Sequence, residues 1–186
     1  VGTEYGTALD DERFDPVYAT LTELDVPLFL HGVTNDGIGP APDERLHRFG
    51  LDLIVGYTYE ETLAAAAFVC GGVLDRHPAL DVCISHGGGA IAFLAQRFDS
   101  MAAFRSRRGG GPAVSEGDFA AGLRRLWFDS HLEEGPARDL VAATVGTDRM
   151  VYGTNFGGWD TPTATTDFDA ALTPNAERLL RLETSR

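Results

Sequence analysis

Short, nearly continuous apolar runs alternate along the chain with longer segments in which apolar residues recur every three or four positions. The short runs are typical of parallel strands buried on both faces, and the longer segments are typical of helices that bury one face. The pattern predicts strands at residues 26–30, 80–84, 126–129 and 149–153, with the end of a further strand in residues 1–7. It predicts helices that begin at residue 15 and that cover residues 60–74, 90–105, 135–145 and 174–182. Strands and helices that alternate in this way predict an α/β fold with a parallel sheet.

Two of the predicted strands are followed by the same dipeptide, His-Gly. The strand at residues 26–30 leads directly into His31, and the strand at residues 80–84 leads, after Ser85, into His86 and three glycines. In α/β sheets and barrels, ligands bind and chemistry takes place at the carboxyl ends of the strands. One strand-end histidine is as consistent with a structural role as with a functional one, but two at the same end of the sheet predict a functional site.

Polar side chains also follow the other two strands, because Asp129 and His131 come after the third and Asn155 after the fourth. The glycines at residues 87–89 do not form a phosphate-binding motif. They lack the Lys-Ser/Thr of a Walker loop, and the spacing Gly-x-Gly-x-x-Gly of a dinucleotide fingerprint is missing. The histidines are therefore the feature that predicts function, and the missing Gly-rich first turn favours a barrel over a doubly wound sheet.

Two loops and two further histidines complete the pattern. The loop at residues 35–42 is rich in glycine and proline and is predicted to line a site, and the basic loop at residues 105–111 is predicted to be flexible. We expect His47 on a solvated helical face and His77 in a surface loop, without a role in the chemistry.

Composition narrows the class of protein. The chain has 186 residues, of which 44% are apolar and 23% charged, and this predicts one globular domain over residues 1–186. A net charge of −13 disfavours nucleic acid and anionic membranes as partners. No run of about 18 apolar residues and no signal peptide is recognisable, so we expect a cytoplasmic protein. Cys70 and Cys83 are predicted to be reduced, and the start at Val1 without a methionine suggests a fragment.

Three stretches carry a resemblance to a known family. They are Pro-Leu-Phe-Leu-His at residues 27–31, Ser-His-Gly-Gly-Gly at residues 85–89 with Arg97 and Phe98 behind it, and Asp-Arg-Met-Val-Tyr-Gly-Thr at residues 148–154. Over nearly the whole chain, the sequence resembles the amidohydrolase-related family of the metal-dependent amidohydrolase superfamily. It is most similar there to the group typified by aminocarboxymuconate-semialdehyde decarboxylase. The resemblance implies a (β/α)8 TIM barrel, of which this chain represents roughly the last five βα units.

The resemblance also implies a site with one divalent metal, commonly zinc. By the matching motifs, His31 is a metal ligand and His86 is the histidine that poises metal-bound water or acts as acid and base. Asn155 stands where the family has an aspartate that binds the metal and can take a proton from water, and by this match it is a candidate catalytic residue. Arg97, or an arginine from a neighbouring subunit, and His131 are expected to bind a small carboxylate substrate, and for this reason we expect a homodimer.

The chain departs from the family in two respects. It contains no His-x-His, which supplies two metal ligands on the first strand of the family barrel, and Asn155 is a weaker ligand than aspartate and cannot take a proton. Asp160 would replace the aspartate if the loop between them folds back. The departures predict that this polypeptide binds zinc weakly or not at all.

Three hypotheses on function remain open from the sequence. The first is a metal-dependent decarboxylase of a small aromatic or unsaturated carboxylate. The second is a hydrolase or hydratase on the same scaffold, and the third is a truncated, non-catalytic remnant.

Overall fold

The computed structural model describes Thr3 and residues 6–33, 44–108, 118–132, 134–158, 160–161 and 164–182. The strands of this described part form one four-stranded sheet in the order β1-β2-β3-β4, and every neighbouring pair is parallel. Their bounds are β1 Leu28–Leu30, β2 Val82–Ile84, β3 Trp127–Asp129 and β4 Met150–Val151. This confirms the predicted parallel α/β sheet. Because every neighbouring pair is parallel, the carboxyl ends of all four strands lie on the same side of the sheet.

Helices connect and cover the strands. They are α1 Asp15–Glu23, α2 Tyr57–Cys70, α3 Val73–Arg76, α4 Ile91–Arg107, α5 Phe119–Leu123, α6 Pro136–Val145, α7 Asp167–Ala171 and α8 Thr173–Leu179. Short 3-10 helices cover Glu12–Phe14, Glu44–His47, His86–Gly88 and Thr147–Arg149. A π-helix, Asp52–Gly56, leads directly into α2. Pro16 and Pro136 lie in the first turn of their helices, where a missing N–H costs no hydrogen bond.

The main core lies between the sheet and the helices on one of its faces. Leu30, Ile84, Phe128 and Met150 occupy matching positions on the four strands, and all four are at most 1% exposed. They belong to one buried cluster with residues of α2, α4, α5 and α6, among them Ala65, Phe68, Ile91, Leu123 and Val141. Burial of each large apolar side chain contributes about 1.5–3 kcal/mol, so this face fixes the sheet. A smaller cluster on the other face holds Cys83, Trp127, Val151 and Leu179.

Several predicted elements differ from the structure. Of the strand expected in residues 1–7, Thr3, Gly6 and Thr7 are bends, and the other four positions lie outside the described residues. The described sheet therefore has four strands where about five were expected. The helix expected at residues 60–74 begins earlier, at Tyr57, and is interrupted at Gly72, whose φ of 74° is left-handed. The loop at residues 35–42 lies outside the described residues, and α4 continues through Arg107 into the segment expected to be a flexible loop.

His47 is exposed on its 3-10 helix, as predicted, and His77 lies in a loop, as predicted, but not at the surface. His77 is half-buried. Its Nε2 lies 3.1 Å from Asp15 Oδ1, and its ring packs edge-on against Tyr18 at 5.6 Å between centroids. The two cysteines are reduced, as predicted, and Cys83 lies inside β2.

The helical segment Asp52–Cys70 is long and apolar enough, by length and composition alone, to be a candidate for a membrane span. Its mean hydropathy of 1.2 means that the sequence-based exclusion of such a segment was too strict. Within the structure one face of this segment belongs to the main core, because Ala64, Ala65 and Phe68 pack there and Glu61 is completely buried.

Candidate active site

Three histidines from three successive strand ends lie side by side. His31 follows β1, His86 follows β2 and His131 follows β3. The ring centroids of His31 and His86 are 5.0 Å apart and those of His86 and His131 are 5.2 Å apart, each pair being edge to face. The structure therefore brings together the strand-end histidines that the sequence singled out.

The three rings line a cavity of about 940 Å³ at the carboxyl edge of the sheet. Its wall comes from the segment before α2, from the start of α6 and from the loop after β4. The lining includes Leu53, Ile54, Tyr57, Thr58, Ser130, Leu132, Glu134, Arg138, Tyr152, Asn155, Asp160, Thr166 and Asp169. A cavity of this size with a few convergent polar groups is typical of a small-molecule site.

His86 is held by an unusual turn. Its own φ is 48°, and Gly87 and Gly89 follow with φ of 59° and 64°, so the chain turns through left-handed backbone immediately after β2. A Cβ on Gly89 would collide with the backbone carbonyl of Thr58, and for this reason only glycine allows the turn to touch the first turn of α2. The glycines thus place His86 close against α2.

Glu61 on α2 is the partner of His86, and sequence reasoning missed it. Its Oε1 lies 2.7 Å from His86 Nδ1 and accepts the N–H of Gly32 at 3.1 Å, and the side chain is fully buried. A buried carboxylate accepts the Nδ1 proton, which leaves His86 Nε2 as the nitrogen with a free role. Burial lowers the pKa of His86, but the hydrogen bond to Glu61 and the charge of Glu61 outweigh it, so this pKa lies above its usual value.

His31, Glu61 and His86 have the chemistry of a divalent-metal site. One ligand atom from each lies within 4.8 Å of the other two. Glu61 Oε2 is buried without a hydrogen-bond partner, and His31 Nδ1 donates to the carbonyl of Gly32 at 2.6 Å, which leaves His31 Nε2 available. Imidazole and carboxylate suit zinc and manganese, so these residues fit such an ion.

Asp129, the last residue of β3, ties two of the strand ends together. Its Oδ1 accepts the backbone N–H groups of Gly87 and His131, both at 3.2 Å. Burial raises the pKa of Asp129, and the charge of His86 and the two backbone donors only partly offset this effect. Asp129 therefore orders the turns that carry His86 and His131.

The loop after β4 brings Asp160 back to the strand ends. Asn155, with a φ of 45°, donates from Nδ2 to Asp160 Oδ1 at 2.6 Å, and His131 Nε2 lies 3.0 Å from Asp160 Oδ2. Burial raises the pKa of Asp160, but these two hydrogen bonds and the charge of His131 prevail, so the pKa lies below its usual value. Asn155 thus contacts the cavity together with a carboxylate.

The structure does not bring Arg97 into this cavity. Arg97 is exposed on α4, away from the lining residues, because the inner face of α4 carries Ile91, Ala95 and Ala102 instead. Arg138 on α6 is the arginine among the described residues that line the cavity. Arg138 is 6% exposed, stacks on Phe168 at 4.6 Å and lies 3.7 Å from Asp169. No sequence pattern distinguished Arg138 from the other arginines, whereas Glu61 was visible as an acidic residue on the apolar face of its helix.

Comparison with proteins of known function places this geometry in a family. Residues 3–182 match the family model described as amidohydrolase. A 2-amino-3-carboxymuconate-6-semialdehyde decarboxylase of Caenorhabditis elegans is 30% identical over 134 residues, which are 72% of this chain and 32% of the relative. The corresponding Dictyostelium discoideum protein is 26% identical over 151 residues, 81% of this chain and 40% of the relative. The chain thus spans less than half the length of these curated relatives.

Solved structures agree on the fold. 5-Carboxyvanillate decarboxylase from Sphingomonas paucimobilis is 22% identical with a TM-score of 0.75, over 96% of this chain and 57% of that one. 4-Oxalomesaconate hydratase from Rhodopseudomonas palustris is 18% identical with a TM-score of 0.62, over 97% of this chain and 54% of that one. Four parallel strands with their helices form part of a (β/α)8 barrel, as predicted. The family model covers all but a few residues at each end, and the chain belongs to the amidohydrolase family.

Proposed function

We propose that the protein is a metal-dependent decarboxylase, a carbon–carbon lyase, of a small aromatic or unsaturated carboxylate. The observation that carries the proposal is His86, held by the buried Glu61 beside His31 in the cavity. The relatives support it, since they include two decarboxylases of an unsaturated carboxylate and a 6-methylsalicylic acid decarboxylase of Penicillium expansum, 23% identical.

His86 is the proton donor in this proposal. When the bond to the substrate carboxylate breaks, carbon dioxide leaves and the electron pair stays on the ring or vinyl carbon. That carbon takes the proton from His86 Nε2, because Glu61 holds Nδ1. A raised pKa increases the fraction of His86 that carries the proton at a given pH, which favours a general acid.

His31 is the proposed metal ligand, with Glu61 within reach of the same ion. His86 lies beside this pair, and its Nε2 is kept for proton transfer. A divalent ion bound there would polarise the substrate carboxylate and its neighbouring oxygen. Zinc is the ion that the sequence resemblance implies, whereas two solved decarboxylases of this fold are described with bound manganese. The proposed ion is therefore divalent, and both zinc and manganese are candidates.

Arg138 is the proposed anchor for a second anionic or polar group of the substrate. Its guanidinium lines the cavity, and Asp169 and Phe168 hold it in place. His131 is proposed to contact the substrate as well, whereas Arg97 reaches a cavity only if it belongs to a second subunit.

We propose a homodimer through the outer face of α4. Phe93, Met101 and Phe104 are 73%, 54% and 44% exposed on one side of this helix, and Arg97 lies between them. An apolar stripe of this kind around a cation fits a symmetric contact. The cytoplasm remains the proposed location, which the two reduced cysteines support.

Hydration is the second candidate reaction. A 2-keto-4-carboxy-3-hexenedioate hydratase of Sphingobium is 25% identical over 81% of this chain. The same histidine would then draw a proton from water, and the product would gain water instead of losing carbon dioxide.

The test is an assay of the chain with manganese or zinc in deuterated water. 2,6-Dihydroxybenzoate, 5-carboxyvanillate and 2-amino-3-carboxymuconate-6-semialdehyde are the substrates. We expect release of carbon dioxide and deuterium at the vacated carbon. His86→Asn should lower turnover about 100-fold or more and keep the metal. His31→Ala should lose metal and turnover together, and His47→Gln is the matched control.

Two results would contradict the proposal. Full turnover in His86→Asn would place the chemistry elsewhere, and absence of turnover with every substrate and metal would favour the non-catalytic hypothesis. Addition of water without release of carbon dioxide would establish the hydratase instead.

A further inference from the structure

We propose that Asp160, rather than Asn155, supplies the carboxylate at the end of β4 and that it binds a divalent cation in the cavity. Asn155 and His131 are then positioning residues that hold Asp160. The inference deepens the proposed function, because it concerns the metal site of the same cavity. It revises the sequence-based prediction that Asn155 is itself catalytic.

The loop from Asn155 to Asp160 is held in place by close glycine contacts and by hydrogen bonds. Gly157 has a φ of 86°, and a Cβ on Gly158 would collide with the side-chain amide of Asn155. The N–H of Gly158 donates to the carbonyl of Asn155 at 2.7 Å. Thr161 Oγ1 lies 2.9 Å from the same carbonyl oxygen, so the loop is closed immediately behind Asp160. These contacts return the chain to the strand end.

Asp160 is the acceptor at the centre of this loop. A carboxylate can only accept while it is ionised, so Asn155 Nδ2 and His131 Nε2 both donate a proton to it. Its side chain is 29% exposed, which leaves lone pairs of the carboxylate open to the cavity. Carboxylates that bind metals are in turn held by hydrogen bonds of this kind.

His131 adds an independent indication. It is 8% exposed, and its Nδ1 is buried without a hydrogen-bond partner. Its other nitrogen, Nε2, faces Asp160. A buried polar atom without a partner marks a place for a water or an ion, and here it belongs to the ring that holds Asp160.

A second carboxylate, Glu61, lies behind the lining residue His86. Glu61 is fully buried, and its Oε2 has no hydrogen-bond partner, although its Oε1 has two. Arg138 is already paired with Asp169 and Glu134, so it does not serve Glu61 or Asp160. Carboxylate and imidazole are both ligands that divalent ions such as zinc and manganese accept, and Asp160 offers a carboxylate inside the cavity.

The experiment measures binding of Mn²⁺ to the whole chain by calorimetry and by electron paramagnetic resonance. Asp160→Asn should weaken binding about 10-fold or more, the scale of a lost ligand or of its support. Glu134→Gln is the matched control, because it removes one charge from the same cavity without touching a histidine. It should change the affinity by less than about 3-fold, since exposed charges are screened.

A double-mutant cycle tests the role of Asn155. If Asn155 acts by holding Asp160, Asn155→Ala weakens Mn²⁺ binding only while Asp160 is present, and the double variant binds no worse than Asp160→Asn alone. Additive losses would make Asn155 a ligand in its own right and would overturn this part of the proposal.

A measurement on the unaltered chain guards against a variant that fails to fold. Mn²⁺ should broaden the ring resonances of His31, His86 and His131 and spare His77, which packs on Tyr18 outside the cavity. Equal broadening of all four, no binding of Mn²⁺, or equal losses in Asp160→Asn and Glu134→Gln would overturn the proposal. Its failure is distinguishable from that of the proposed function, because the metal affinity is measured without any substrate.

Discussion

Glu61 is a carboxylate inside the core, and its burial is compensated by two donors, the Gly32 N–H and the His86 ring. We predict that Glu61→Gln lowers the pKa of His86 in the metal-free chain, because glutamine can accept the hydrogen bond but carries no charge. A titration of the His86 ring resonances by NMR measures the change. Glu60→Gln, one position earlier on the same helix, is the control and should leave this pKa unchanged.

The same pair makes stability depend on pH in a defined direction. The pKa of His86 is raised in the folded chain, so the pair stabilises the fold fully below the unfolded pKa of about 6.5. This stabilisation is lost as the pH rises through the folded pKa. A His86 pKa that is the same in Glu61→Gln and in the unaltered chain would show that Glu61 only fills space.

The residues that could be found from the sequence differ from Glu61 and Arg138 in one respect. His31, His86 and His131 follow apolar strand runs, and strand direction alone places them at one edge of the sheet. Glu61 and Arg138 lie on helices, where the direction of a side chain depends on how the helix is rotated against the sheet. A one-residue uncertainty in that rotation is 100°, which moves a side chain from the cavity to solvent.

At the scale of elements, the turn from β2 into α4 depends on Gly89. We predict that Gly89→Ala destabilises the chain far more than Gly50→Ala, although the two glycines have nearly equal φ of 64° and 67°. A positive φ costs at least about 1–2 kcal/mol at both sites, and the ψ of −125° at Gly89 lies outside the left-handed helical region. At Gly89 the added Cβ also collides with Thr58, whereas nothing lies within 4 Å of a Cβ at Gly50. This overlap adds about 1–3 kcal/mol.

Chemical denaturation of both variants measures the difference. If Gly50→Ala and Gly89→Ala lose the same free energy of unfolding, the close contact between the turn and α2 is absent in solution.

Helix α7 depends on Asp169, whose carboxylate accepts from Thr166 in a capping box and from Ser130. Burial raises the pKa of Asp169, but these bonds and the charge of Arg138 outweigh burial and lower it. We predict that Asp169→Asn lowers the free energy of unfolding by about 1–2 kcal/mol at pH 7. Because the folded pKa is depressed, the deficit should shrink as the pH falls below about 4.

The exposed Asp167 on the same helix is the control, and Asp167→Asn should change stability by less than about 0.5 kcal/mol. Thermal unfolding at several pH values gives the comparison. A deficit in Asp169→Asn that persists unchanged at pH 3 would assign it to packing rather than to charge.

Element types could be predicted from periodicity, but several bounds could not. The strands at Leu28–Leu30 and Val82–Ile84 lie inside the predicted apolar runs, and α6 begins one residue after the predicted start. The π-helix Asp52–Gly56 was not predicted, because its apolar residues look like part of a loop in the sequence. Leu53 and Ile54 line the cavity, so tertiary contacts rather than local propensity decide this segment.

At the scale of the whole molecule, the four-stranded sheet formed by the described residues has two edge strands, β1 and β4. In a closed barrel each of these edges would be paired, and an unpaired edge of a parallel sheet is a template for association. We predict that this chain associates into dimers or larger species. Size-exclusion chromatography with light scattering tests this, and a stable monomer with a sharp melting transition would mean that the edges are covered.

Two surfaces compete to explain such association, the sheet edges and the apolar face of α4, and a charge placed on α4 separates them. Phe93→Lys adds a cation beside Arg97 in the middle of the exposed stripe, so a symmetric α4 contact would bring four cations together and should weaken at least 10-fold. The matched control is Leu140→Lys on α6, where a side chain 41% exposed lies outside the stripe. Light scattering over a range of concentrations gives the dissociation constants.

If Phe93→Lys associates as strongly as Leu140→Lys, the proposed homodimer through α4 is wrong and the sheet edges carry the contact. Loss of association in Phe93→Lys alone assigns the interface to α4 and places Arg97 where a second subunit can meet it.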